Sequence, residues 1–464
     1  MKTSSDVAQM TRLILKAGKD ARREIQPMAE AALTQAVQWP LTCTVGPGLE
    51  GAIACESKVG YVNGSQGWLI YRGYDIFDLA AHSTFEEVSY LLMHGELPTP
   101  SQLASHEDQL RQARRLPKTL AMMQRFDVTD MHPMALLRLG TNVMRQEFTW
   151  SDKSQGRPDG TAIASDEDSI AMETRPQGFD RPVYEFPRKP LRRPGAVDIG
   201  LHHAACQDSS YHLIAGVASI AAAINRMRRG LKPVEPDDKL SHAANLLYMM
   251  KGRRPTAAAA KAMDVALILH ADHGMNASTF AALVVASTLS DMYFAVGAGI
   301  GALSGPLHGG ANEQVIHMLR EIGSPQNVAP WLKSTLDAKR KIMGFGHRVY
   351  KAYDPRARVL APLVAFLADG RPRCGKLLAT AARLEKMVLG SVGKEKNLFP
   401  NVDFYSGLLY RCLAIEPDMF TPLFAVSRVA GWSARILEYL QSNRIFRPRA
   451  IYSGPLDRQY TPRP

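Results

Sequence analysis

The densest reactive chemistry in the chain lies in Met343–Arg358, MGFGHRVYKAYDPRAR. Gly344 and Gly346 flank Phe345 and allow a turn where a side chain would collide. His347 follows, and Arg348, Lys351, Arg356 and Arg358 place four cations within eleven residues of it. Pro355 after Asp354 marks a helix start. A titratable ring among cations suits a small polyanion whose carbonyl must be polarised. Taken alone, the stretch reads equally well as a solvated basic loop.

Four further stretches add to it. In HADHGMNAST, His270 and His273 stand three residues apart with Asp272 between them, a spacing open to a metal site or a hydrogen-bonded core. In GPLHGGANE, His308 lies at an expected helix start, whose dipole disfavours imidazolium and leaves a neutral donor. In NVDFYSG, Asp403 reads as a helix cap or as a base desolvated by Phe399, Phe404 and Tyr405. FAVSRVAGW and RIFRPRAIYSG supply Arg428 and Arg447, whose guanidinium forks match carboxylates. No Walker motif or GxGxxG is present, so a nucleotide-hydrolysing or dinucleotide fold has no support.

In this order and at these spacings, the stretches resemble the citrate synthase family, including the 2-methylcitrate synthases, over roughly Gly48–Pro455. The resemblance implies a mainly α, two-domain fold with the active site in the cleft. It implies that acetyl-CoA loses a methyl proton, attacks the ketone of oxaloacetate, and yields a citryl thioester that is hydrolysed. Asp403 is then the expected base, His308 the donor to the enol oxygen, and His347 the donor to the ketone. Arg356, Arg428 and His273 are expected to bind oxaloacetate, with the partner subunit's Arg447 completing the site of a homodimer. Acetyl-CoA, a co-substrate rather than a tightly bound cofactor, is expected at Gly344, Phe345 and Gly346, with Lys351 near a phosphate. No metal is expected.

HADHGMNAST, NVDFYSG and RPRAIYSG look closer to citrate than to methylcitrate enzymes, which favours acetyl-CoA over propionyl-CoA. One methylene is a selection worth only about 1–3 kcal/mol. Two readings of other classes stand beside this one: a metal-dependent hydrolase built on His270, Asp272 and His273, and a non-catalytic binding relative. Arg138-Leu139-Gly140-Thr141 matches a helix motif of the family only loosely. The extra N-terminal β-domain of NADH-inhibited bacterial enzymes is not seen, so such inhibition is not expected.

The rest of the chain must position these groups. Its 464 residues allow two or three domains, and a composition 46% hydrophobic and 22% charged is that of an ordinary soluble protein. The net charge of +12 favours anionic partners. No basic run interleaves with aromatics, which argues against nucleic acid. Five scattered cysteines without a CxxC argue against a disulfide framework and for a reducing compartment. The N-terminus lacks a secretory core, which favours the cytoplasm while leaving a mitochondrial address open. Ala277–Leu303 is broken by Asp291 and reads as buried helices rather than a membrane span.

Residues 1–47 read as an extension, helical in places. IACESKV and GWLIYRG read as a hairpin turning at Asn63-Gly64-Ser65. Thr84–Glu87 opens a helix with a capping box, a stripe of Phe85, Val88, Leu91 and Leu92, and a stop at Gly95. Helices are expected near 101–115, 117–125, 133–147, 208–229, 240–251, 256–272, 277–295, 310–321, 330–339, 355–368, 376–390, 403–413 and 421–442. Residues 151–194, polar then basic and proline-rich, read as a loop insert. The expected domains are 48–308 (large), 309–415 (small) and 416–464 (a return to the large domain and a C-terminal arm).

Overall fold

The computed structural model describes residues 2–24, 38–147, 199–393, 398–451 and 453–454; the expected insert at 151–194 lies outside them. The protein is mainly helical, with one small sheet among the described residues, of order β1-β2-β3 (Gly60–Asn63, Trp68–Tyr71, Tyr74–Asp75). The strands are antiparallel, with Asn63 opposite Trp68, so the turn falls at the expected Asn63-Gly64-Ser65. The first strand starts later than IACESKV suggests. Lys58 N–H donates to Glu438 Oε1 and Val59 N–H to Ser57 Oγ, which removes both amides from a ladder.

Helix α1 (Lys2–Glu24) gives the N-terminal extension a definite place, burying Met10 and Ile14 completely. It packs on α2 (Ile76–His82), α9 (Ala257–His270) and α14 (Pro355–Ala368). Gly18 makes the contact with α2 possible, because a Cβ there would lie 2.9 Å from Phe77 Cβ. In α3 (Phe85–His94), Thr84 accepts from Glu87 N–H at 3.2 Å and Gly95 ends the helix at φ 96°. The other half of the expected capping box is missing, since Glu87 takes the Ser83 hydroxyl instead.

There follow α4 (Pro100–Gln112), α5 (Pro117–Met123), α6 (Pro133–Val143), α7 (Ile199–Met227) and α8 (His242–Lys251), and then α9. The single helix expected at 277–295 is two, α10 (Ala277–Ala286) and α11 (Met292–Leu303). Leu289 takes φ 63° between them, and Asp291 caps α11 through Phe294 N–H at 3.0 Å. α12 (Ala311–Ile322), α13 (Val328–Asp337), α14, α15 (Pro372–Val388) and α16 (Val402–Cys412) pack on one another as a second group. α17 (Phe420–Leu440) is apolar almost all round and runs through the first group against α3, α7, α9, α10 and α11.

Cys374 and Cys412, 38 residues apart, form a disulfide joining α15 to α16, with Cα atoms 5.5 Å apart. Their scatter gave no sign of this contact, because distance along the chain says nothing about distance in the fold. Among the described residues no helix is long and apolar enough to cross a membrane.

Candidate active site

The C-terminal end of α9 delivers His270, Asp272 and His273. Tyr71 Oη from β2 lies 3.1 Å from the Ile268 carbonyl, 2.9 Å from the Asp272 carbonyl and 3.1 Å from Asp272 N–H, which fastens the helix end. Asp272 gives both oxygens to Arg435 of α17, each at 2.7 Å. Gly60 allows this pair to sit against the sheet, since a Cβ there would lie 2.5 Å from Asp272 Oδ2. His270 Nδ1 is 2.7 Å from the Ala266 carbonyl. With Asp272 committed to Arg435, the metal set of His270, Asp272 and His273 does not form, and the hydrolase reading loses its centre.

His273 is buried, and its ring packs on His347 at 5.2 Å and on Tyr350 at 5.4 Å between centroids. Its Nε2 has no partner among the described residues. Burial, then the charge of Arg356, holds its pKa well below the usual value, so the ring is neutral.

His347 Nδ1 accepts from the N–H groups of Val349 at 2.9 Å and Tyr350 at 3.1 Å. A nitrogen that accepts carries no proton, so Nε2 bears it. Burial, with Arg356 adding to it, brings His347 down to about 4.

His308 Nε2 accepts from Ser278 N–H at 3.1 Å, with Ser278 Oγ 2.8 Å away. The proton is therefore on Nδ1. Burial brings this ring to about 4 as well, with Arg428 and Arg348 contributing. The helix end that faces His308 is that of α10, where Ser278 lies in the first turn. It is not the helix following His308, which starts only at Ala311 behind a left-handed Gly310. The expected electrostatic device is present, but a different helix supplies it.

Asp354 joins the arginine loop to the helix of the expected base. It caps α14, accepts from Arg356 Nε at 3.0 Å and Nη2 at 2.8 Å, and accepts from Val402 N–H at 3.1 Å. Burial raises its pKa, but Arg356 overcomes this and holds the carboxyl below its ordinary range. Arg428 is buried with no acid paired to it among the described residues. Its Nε donates to the His270 carbonyl at 2.6 Å and its guanidinium covers Phe424 at 4.7 Å. Burial lowers its pKa to about 10. A buried, unpaired guanidinium is a standing site for an anion.

Asp403 is half-buried in the first turn of α16, where Asn401 caps the helix through Asp403 N–H at 3.0 Å. No hydrogen bond to its carboxylate comes from a described residue. Burial raises it to about 6; Arg356 and Arg428 pull it down and Asp354 pushes it up.

The Gly344-Phe345-Gly346 turn pins this cap. Gly344 and Gly346 take φ 80° and 79°. Asn401 N–H donates to the Gly344 carbonyl and Asn401 Nδ2 to the Gly346 carbonyl, each at 2.9 Å, and Gly346 N–H donates to the Phe399 carbonyl at 2.8 Å. Lys351 is exposed, and its N–H donates to the Gly64 carbonyl of the β1–β2 turn at 2.8 Å.

Arg447 is exposed on the arm after α17 and is not tied to this cluster. Its neighbour Phe446 stacks on Tyr439 at 4.9 Å, and Phe446 N–H donates to Ser287 Oγ at 3.2 Å. A separate cleft of about 560 Å³ between α6 and α11, lined by Arg138, Asn142 and Phe294, holds none of these residues.

The residue reading missed Tyr350, Asn401, Ser278 and Arg435. Arg435 had a visible signal: a second arginine two turns beyond Arg428 on an otherwise apolar helix. Asn401 had one too, an asparagine just before an expected helix; Tyr350 and Ser278 had none.

A helical scaffold that gathers neutral imidazoles, a raised carboxylate and a buried guanidinium with no acid paired to it among the described residues has the parts that acid–base chemistry on a small anion needs. Residues 48–176 and 193–449 match the family described as citrate synthase, C-terminal domain; the gap falls within the insert. A citrate synthase of Deinococcus radiodurans is 40% identical over 418 residues, covering 90% of this chain and 97% of the relative. One from Haloferax volcanii is also 40% identical, covering 89% and 97%. The citrate synthase of Thermoplasma acidophilum, solved as a ternary complex with carboxymethyl coenzyme A and oxaloacetate, is similar at a TM-score of 0.74 and 30% identity, covering 91% of this chain and 99% of that one. The chain belongs to the citrate synthase family, and is an enzyme of the acyltransferase type.

Proposed function

We propose that the protein condenses acetyl-CoA with oxaloacetate to give citrate and CoA. Asp403 takes a proton from the acetyl methyl group while His308 Nδ1–H donates to the thioester oxygen, so that the enol forms without a free enolate charge. The enol carbon attacks the oxaloacetate ketone. His347 Nε2–H donates to the ketone oxygen, which takes up a proton as the carbon–carbon bond forms. Water then cleaves the citryl thioester and CoA leaves as the thiol.

Arg356 and Arg428 hold the oxaloacetate carboxylates, and His273 adds a neutral contact. The observation that carries this reading is the occupation of one nitrogen on each of His308 and His347 by backbone N–H groups. That leaves each ring neutral with one proton to offer. Lys351 is assigned to a CoA phosphate, and Gly344–Gly346 to the neighbourhood of the adenine. No tightly bound cofactor or metal is assigned.

We assign 309–415 as a small domain that closes on 48–308 and excludes water until the bond has formed. The working unit is a homodimer in which the partner subunit's Arg447 completes each site, and its compartment is the cytoplasm.

The test is release of free thiol from acetyl-CoA and from propionyl-CoA, with and without oxaloacetate. Oxaloacetate-dependent release with the higher kcat/KM for acetyl-CoA is expected. A higher value for propionyl-CoA would replace this reading with 2-methylcitrate synthesis, and no release from either thioester would remove it.

A further inference from the structure

Glu385, on α15, takes no part in the chemistry above, yet it joins the two segments that carry it. Its Oε1 accepts from Tyr353 Oη at 2.5 Å and its Oε2 accepts from Tyr405 Oη. Tyr353 immediately precedes Asp354, the residue that holds Arg356. Tyr405 lies two residues beyond Asp403. Burial, with the neighbouring acidic groups adding to it, raises both phenols, so each stays protonated as a donor. The Arg358 guanidinium covers the Tyr353 ring at 4.6 Å, and Glu24 of α1 pairs with Arg358, so the ring is held as well as its hydroxyl.

The same two segments meet once more, where Val402 N–H donates to Asp354 Oδ2 at 3.1 Å. This bond and the Asn401 cap both act at the first residues of α16, so neither ties the next turn to the loop of Arg356. Val402 and Tyr405 lie close to one helical turn apart, so a second attachment at Tyr405 fixes both the rotation and the axial position of the helix. Asp403 sits between the two fixed points. A base displaced by 1 Å from its proton loses about 100-fold in rate.

We propose that Glu385 is a positioning residue for the condensation, clamping the helix of Asp403 to the loop of Arg356 through Tyr405 and Tyr353. The proposal rests on the reaction assigned above. Its test uses Tyr405→Phe, Tyr353→Phe, Glu385→Ala and Glu385→Gln in the full chain. Three quantities are read: kcat for thiol release, loss of deuterium from the methyl group of labelled acetyl-CoA, and oxaloacetate Kd by calorimetry.

Tyr405→Phe and Glu385→Ala should lower kcat and methyl exchange together by roughly 10- to 100-fold while oxaloacetate Kd moves less than about 3-fold. Glu385→Gln, which keeps an acceptor for one tyrosine, should recover part of the loss. Wild-type kcat in Tyr405→Phe, or a fall in kcat matched by an equal loss of oxaloacetate affinity, would overturn the proposal. If Glu385→Ala does not fold, Tyr405→Phe decides alone, since it removes one oxygen and keeps the ring. A wild-type protein that releases no thiol would overturn the reaction itself, a result distinct from an active wild type with an unaffected variant.

Discussion

Arg428 is buried with no acid paired to it among the described residues, an arrangement that costs the free protein stability and that the proposed reaction uses to hold an oxaloacetate carboxylate. Replacing it with an apolar residue of similar length separates the two effects. Arg428→Met should weaken oxaloacetate binding by about 100-fold or more, yet leave the melting temperature unchanged or higher. Calorimetric titration and thermal melts read these independently, and a large drop in melting temperature would show that the arginine is structural. Asp403 makes the second prediction at this scale. A base must be ionised to accept a proton, and burial places this carboxyl at about 6. The rate should therefore fall about tenfold per unit as pH drops below that value. His308 and His347, brought down to about 4, stay neutral through this window and add no limb of their own. Asp403→Ala should lower kcat by orders of magnitude with oxaloacetate affinity nearly intact. An unaltered acid limb in the residual activity would assign the limb to another group.

Among the elements, local punctuation decided which expectations held. Asp354-Pro355 is a cap followed by a proline, and α14 spans the expected 355–368. The expected 277–295 helix failed at Leu289, whose left-handed backbone no composition rule announces. Gly344 was legible as a turn residue, but its purpose was not. Its carbonyl receives Asn401, and a Cβ would lie 2.7 Å from Val315 Cγ2 and 2.9 Å from Phe404 Cβ. Gly344→Ala should cost more than about 1 kcal/mol from the left-handed backbone alone and, by displacing the cap of α16, lower kcat beyond what the loss of folded protein explains. Activity normalised to folded protein checks this; an unchanged kcat would free the turn from any catalytic role. Helix α1 makes the opposite case. Ile14 is wholly buried against the body of the protein, far along the chain from any reactive residue. Ile14→Ala should cost about 2–5 kcal/mol in chemical denaturation while kcat per folded site is retained.

For the whole molecule, the open matter is where Arg447 acts. It is exposed on the C-terminal arm, and the homodimer proposed above has it reach the partner's site. Mixing Asp403→Ala with Arg447→Ala protein after reversible dissociation tests this directly. If Arg447 serves the partner's site, each hybrid dimer contains one intact site, and activity should return to about a quarter of wild type in a random mixture. No recovery would place Arg447 in its own subunit's site, and an Arg447→Ala protein that is fully active unmixed would place it outside any site. The sequence by itself determined which residues could react and where the backbone must turn, because glycines, caps and short motifs act over a few neighbouring positions. It therefore indicated a mainly helical chain and offered His273, His308, His347, Arg356, Arg428 and Asp403 as candidates. It did not show that Cys374 and Cys412 meet, that α10 rather than α12 faces His308, or that Glu385 binds two tyrosines. Only the tertiary structure decided those matters, along with the nitrogen on which each histidine keeps its proton. Solvation, charge and hydrogen-bond partners are set by groups that are near in space and distant in the chain, as Ser278 is for His308.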